Sequence, residues 1–219
     1  VSTRPEIVSR SAWGAATKVP QNTVPNSSRR FLVIHWPVMG ARDEKQWCRD
    51  IERMHRNQGW STAPGYNFLV GMSGTIYEGA GVSIRGIHSP PHNVDGWGVC
   101  VLQPSTAAGV PSAPITDAAK VSTVALYNWL SGLAGRQLSR WYHGKDYATA
   151  CPGPDLRRWV EAGMPAPSTS PPPPPPPAPV IAVGRMPDGR FEIFRLAGSE
   201  LAHRWHERTG GWIKGWHQL

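Results

Sequence analysis

Cysteine is scarce in this chain. There are three in 219 residues, Cys48, Cys100 and Cys151. An odd number argues against a disulfide framework. A single Cys48–Cys100 bridge stays open beside the alternative of two buried free thiols, one on a helix and one on a strand. Acidic residues are few as well, 15 against 23 lysines and arginines, for a net charge of +8 and a pI near 9.9. Such a surface favours anionic partners, whether nucleic acid, anionic lipid or anionic wall polymers. The positive charges are scattered rather than blocked, so nucleic acid is not expected as a partner. No apolar run approaches the ~20 residues that span a bilayer, so no membrane span is expected. No signal-peptide pattern is visible, and the first residue is Val1; a removed leader and a trimmed chain both fit that start.

Proline and tryptophan are plentiful, with 23 and 11 residues. Ten of the prolines fall in the fifteen residues of "PAPSTSPPPPPPPAP", 165–179. A run without N–H donors makes neither helix nor sheet. It extends as polyproline II at ~3.1 Å per residue, or roughly 45 Å in all. The competing role, a ligand for a proline-binding module, is disfavoured because the run separates two segments of different character. The expected organisation is therefore 1–164, a spacer at 165–179, and 180–219.

The first segment alternates strand and helix signals. "FLVIHW" (31–36) and "WGVCVLQ" (97–103) read as buried strands, and "YNFLVG" (66–71) with "TIYEG" (75–79) as a hairpin. Residues 43–58 read as a helix with Trp47, Ile51, Met54 and His55 on one face. Residues 116–135 read as another, opening on a Thr-Asp cap and closing on glycine, with Leu126, Trp129, Leu130 and Leu133 at helical spacing. The fold class is α/β, a mixed central β-sheet flanked by helices. Residues 180–219 carry strand signals throughout, in four short strands joined by tight turns. They read as a small all-β, four-stranded propeller blade.

The chemistry concentrates in "WYHGKDYATACPGPDLRRW", where His143 and Cys151 stand eight residues apart. Imidazole and thiolate are good zinc donors, and a catalytic zinc keeps three protein ligands and one open position. A third ligand must come from elsewhere. His35 at the end of a strand is the first candidate, with His55, His88 and His92 as alternatives. His55, on the buried face of a helix, is expected to serve packing.

"SRSAWGA", "IHW", "GYNFLVGMSGTIYEGAG", "GIHSPPHN", "GVCVL" and "HGKDYATACPGPDL" stand in the order and near the spacing seen in one family. Residues 5–160 thus resemble the zinc-dependent N-acetylmuramoyl-L-alanine amidases of the peptidoglycan-recognition-protein type. The resemblance implies Zn2+ held by His35, His143 and Cys151, and an active-site tyrosine at Tyr66. It puts Thr149 at the position two before the ligand cysteine. It implies a substrate groove lined by His88 and Asn93, with Trp60 nearby and Lys145 as a further neighbour. Zinc lowers the pKa of bound water to about 7 and polarises the amide carbonyl. In that setting Tyr66 would hold the water or the oxyanion, and Thr149 could donate to the oxyanion. Tyr66, a water relay or Lys145 would carry the proton to the leaving amine. Departures from the family pattern at Ala63-Pro64-Gly65, Ala80 and Gly144-Lys145 spare every implied ligand, but substrate preference does not transfer across them.

The resemblance implies peptidoglycan (muropeptide) as substrate and a place of action outside the cell, by secretion or by delivery from a phage. The alternative is a recognition protein of the same fold that binds wall fragments without cutting them; such members of the family typically lack the ligand cysteine. A structural zinc in a nucleic-acid-binding protein would need a fourth ligand close to Cys151, and none is there.

"DGRFEIF", "LAHRW" and "GGWIKGW" resemble one repeat of tachylectin-like or fucose-binding lectin propellers. One such sheet cannot bury a core alone. Either the chain continues past Leu219 or blades from several chains assemble, and assembly into a homo-oligomer is the expectation. Phe191, Phe194, Trp205, Trp212 and Trp216 would otherwise face water. The resemblance implies glycan binding at the blade; a pure oligomerisation module is the alternative.

Overall fold

The computed structural model describes residues 3–18, 22–167, 180–186, 188, 190–197, 200–207, 211–212 and 217–218. The spacer expected at 165–179 lies outside these from residue 168 on, and so does Trp216. The chain divides into two compact units, Val1–Pro167 and Ser168–Leu219.

In the first unit the elements run α1 (Arg10–Trp13), β1 (Phe31–His35), α2 (Glu44–Asn57), β2 (Phe68–Val70), β3 (Ile76–Glu78), β4 (Gly96–Val101), α3 (Asp117–Ala134), β5 (Ser139–Tyr142) and α4 (Pro154–Glu161). The sheet order is β3-β2-β4-β1-β5. All neighbours are parallel except the β2–β3 hairpin, so the sheet is mixed, as expected. Parallel strands covered on both faces read as unbroken apolar runs, which is why β1 and β4 stood out in the sequence. Alternate residues go to opposite layers. Leu32, Ile34, Phe68, Val70, Val99 and Val101 pack with α3 and α4. Leu69, Cys100 and Leu102 pack with Trp13, Trp47, Cys48 and Ile51 of α1 and α2. Cys48 and Cys100 share that second layer as free thiols, so no bridge joins them.

The helix ends follow their caps. Asp43 accepts from the Gln46 N–H and Thr116 from the Ala119 N–H, while Gly135 closes α3 in the left-handed conformation. Two residues expected to be buried face water, Met54 and Leu133, at 39% and 37% exposure. Cys48 and Glu52 fill the buried face of α2 in place of Met54. Ala119, Thr123 and Tyr127 complete that of α3. α4 starts with Pro154 at its first turn, where a missing N–H costs nothing.

The second unit is antiparallel throughout: β6 (Val180–Arg185), β7 (Phe191–Ala197), β8 (Glu200–Glu207), β9 (Gly211–Trp212) and β10 (His217–Gln218). β9 and β10 both pair with β8.

Candidate metal centre

The site forms where two neighbouring parallel strands end. β1 and β5 are in register with Ile34 opposite Tyr142, so the next residues on each, His35 and His143, leave the sheet side by side. Their ring centroids are 4.8 Å apart. The chain then turns back through residues 146–153. Thr149 Oγ1 accepts the Cys151 N–H at 3.2 Å, and Ala150 O accepts the Gly153 N–H at 2.6 Å. This brings Cys151 Sγ to 3.7 Å from His35 Nδ1. Gly153 makes the turn possible, with φ at +84° and a missing Cβ that would sit 2.8 Å from the buried Trp36 ring.

His35, His143 and Cys151 each offer one ligand atom, all within 4.8 Å of one another. Tetrahedral zinc with N and S donors sets its ligand atoms roughly 3.3–3.6 Å apart, so the three fit around one ion after a small contraction. Two imidazoles and a thiol, with no carboxylate, suit zinc rather than magnesium or calcium. Burial holds His35 well below the ordinary histidine range, helped by His88, His143 and His55. Burial lowers His143 as well, against the pull of Asp146. Both rings are therefore neutral at neutral pH, the form that binds metal. Burial pushes the Cys151 thiol up to about 12, so the thiolate forms only with a cation beside it.

Around this cluster the sequence-derived residues take distinct places. Tyr66 stacks obliquely 5.0 Å from the His35 ring. Burial, then the Cys100 and Cys151 sulfurs, holds its phenol well above the ordinary range, so it remains a donor. Thr149 braces the Cys151 loop. His88 is buried, its Nδ1 3.2 Å from His35 Nε2. Asn93 Oδ1 accepts from the backbone N–H of His88 at 2.8 Å and of Ser89 at 3.0 Å, so this amide oxygen shapes the loop. Trp60 stacks on His55 at 4.0 Å, outside the metal cluster. Lys145 is exposed, its Nζ 3.8 Å above the Trp141 ring. His55, read as a packing residue, is buried and accepts from the Gly65 N–H.

Sequence reasoning missed a polar tie between the two loops that flank the site. His92 spans Asp95 at 3.0 Å and Asp146 at 3.4 Å. Asp146 also accepts from the Trp141 indole N–H at 3.0 Å. The spacing His92-x2-Asp95 was a signal for half of it, but Asp146 arrives only through the fold. A cavity of about 570 Å³ lined by Arg4, Phe68, Glu78 and Trp129 opens on the α3 side of the sheet, away from His35, and holds none of the three ligands.

Residues 25–154 match the family described as N-acetylmuramoyl-L-alanine amidase. The chain belongs to that family. The amidase-family unit is similar to a peptidoglycan-recognition protein of Drosophila simulans, 31% identical over 170 residues that cover 70% of this chain and 87% of the relative. It is also similar to the endolysin of Enterobacteria phage K11, 31% identical over 126 residues, 57% of this chain and 77% of the relative. Bumblebee PGRP-SA shares the amidase-family fold with a TM-score of 0.61 at 21% identity, over 72% of this chain and 95% of that one. Among the described residues, no helix is long and apolar enough to cross a membrane.

Proposed function

We propose that the first unit hydrolyses the amide bond between N-acetylmuramic acid and L-alanine in peptidoglycan, with zinc held by His35, His143 and Cys151. The observation that carries this reading is the convergence of those three donors within 4.8 Å, in a chain of the amidase family. Bound zinc supplies acidified water and a Lewis acid for the amide carbonyl. The chain's own residues do the rest. His35 and His143, kept neutral by burial, present lone pairs rather than charge. Tyr66, kept protonated, donates from Oη to the carbonyl oxygen as negative charge gathers there. Thr149 Oγ1 accepts from Cys151 N and so holds the ligand loop, leaving its own proton for the substrate. Trp60 and Lys145 complete the groove side of this reading, while His88 and Asn93, expected to line the groove, are buried and support the loop from within.

Mass spectrometry of digested peptidoglycan, with metal analysis of the same protein, tests bond and metal together. Free stem peptides beginning at L-alanine and one zinc per chain are expected, and Cys151→Ala should abolish release. Undiminished release by Cys151→Ala sinks the assignment. The second reading, a recognition protein that binds without cutting, is favoured by the likeness to the Drosophila simulans peptidoglycan-recognition protein. It would give peptidoglycan binding with no free peptide from the wild-type chain. In either case the site of action is the cell wall, reached by secretion or from a phage.

For the whole chain, residues 1–164 form the amidase domain, 165–179 the polyproline spacer, and 180–219 a blade that assembles with blades of other copies and binds glycans. Support comes from the blade's wet apolar side chains. Phe191 is 50% exposed, Leu201 40% and Trp212 40%, while Phe194 and Trp205 are half-buried. Assembly would cover them and raise effective concentration on a polymeric substrate. Light scattering of the intact chain should give an oligomer. A clean monomer with its β-signal intact rules assembly out, and glycan-array binding decides between lectin and simple oligomerisation module.

A further inference from the structure

We infer that His88 is a positioning residue for His35: its Nδ1 accepts the proton carried on His35 Nε2, leaving His35 Nδ1 bare toward Cys151 and fixing the ring in the tautomer and rotation that ligate metal. The inference rests on the zinc reading above and deepens it.

The geometry places the two rings on opposite duties. His35 Nδ1 faces Cys151 Sγ at 3.7 Å, and His35 Nε2, at the other corner of the same ring, faces His88 Nδ1 at 3.2 Å. His88 therefore stands behind His35 rather than beside the metal, and it is not one of the three grouped ligands. Two ring nitrogens at hydrogen-bond distance share one proton. A ligating Nδ1 has its lone pair committed, so that proton belongs to His35 Nε2, and His88 Nδ1 is the acceptor. The rings meet nearly edge-on, with centroids 5.1 Å apart and planes at 80°.

His88 is built in. It is 5% exposed. A Cβ on Gly86 would come within 2.5 Å of its Cδ2, and a Cβ on Gly98 within 2.5 Å of its Cδ2 and Cγ. Neither glycine has a positive φ, so what they supply is room for the imidazole. Its backbone is pinned by Asn93, whose Oδ1 accepts the His88 N–H at 2.8 Å. Partners of ligand histidines commonly set metal affinity by fixing tautomer and orientation; here the partner is a second, buried imidazole.

The test is zinc affinity by chelator competition on the full chain, compared among wild type, His88→Leu and His88→Asn. Leucine fills the space without an acceptor. Asparagine returns an amide oxygen near the place of Nδ1. His88→Leu should bind zinc about 10–100-fold more weakly, the usual loss for such partners, and His88→Asn should recover most of it. Equal affinity in His88→Leu overturns the inference while leaving the zinc reading standing. A wild-type chain that binds no zinc overturns both. Imidazole 15N shifts of metal-free wild type need no variant to fold: the proton of His35 is expected on Nε2, and a proton on Nδ1 overturns the inference.

Discussion

The Nδ1 of His55 accepts a hydrogen bond from the backbone N–H of Gly65 at 2.9 Å, in a site 2% exposed. A proton on that nitrogen would remove the acceptor and charge a dry pocket. Burial accordingly lowers His55 to about 4, against an ordinary value of 6.5. Between those values the unfolded chain binds the proton and the folded one does not. Stability is thus full above pH 6.5, falls as pH drops towards 4, and levels off below; His55 contributes about 3 kcal/mol of that fall. Urea unfolding from pH 4 to 8 should show the decline. His55→Asn, which can still accept from Gly65, should flatten it, and an unchanged slope would exclude His55 as its source.

Tyr66→Phe removes the phenol that packs 5.0 Å from the His35 ring. The rate of amide cleavage should fall by about 10²–10³, the usual loss for a donor to developing oxyanion charge. Zinc content should not change. Steady-state kinetics with metal analysis checks this, and a wild-type rate would remove Tyr66 from the chemistry.

Gly153→Ala would place a methyl 2.8 Å from the Trp36 ring, on a backbone with φ at +84°. Overpacking and left-handed strain together should cost about 2–4 kcal/mol. Cys151 sits two residues earlier, so weaker zinc binding should accompany the lower melting temperature. Calorimetry and a zinc titration read the two effects separately.

Removing the metal should abolish activity and lower stability together. A ligand that binds only the folded state adds about 2.7 kcal/mol at a hundred times its Kd. Melting curves with and without a chelator should separate accordingly, and Cys151→Ala should lose most of that response.

The helices and the buried strands were legible because their signals are local. Asp43 and Thr116 cap α2 and α3, Gly135 ends α3, and β1 and β4 are apolar on both faces. β5 was not legible. Ser139–Tyr142 is a four-residue strand at the sheet edge, exposed or half-buried throughout, and carries no apolar run. Yet β5 is the strand that sets His143 beside His35. The implied ligand set came from resemblance to a family, and spacing alone left the third histidine open among four candidates. The choice between His35 and His88 depends on a parallel pairing of β1 with β5 and on two glycines that make room behind a ring, neither of which has a local signature. Met54 and Leu133 were misassigned because helical spacing marks a stripe, whereas the neighbouring elements decide how much of the stripe is covered.

The register of β1 against β5 also sets an order of events at the ribosome. His35 is made early, and its partners His143 and Cys151 come 108 and 116 residues later. A nascent chain carries a single donor of the trio from residue 35 until residue 143 and completes the set only when the last loop before α4 emerges. Truncation anywhere ahead of residue 151 leaves at most two donors, so the full set exists only once nearly all of the first unit does.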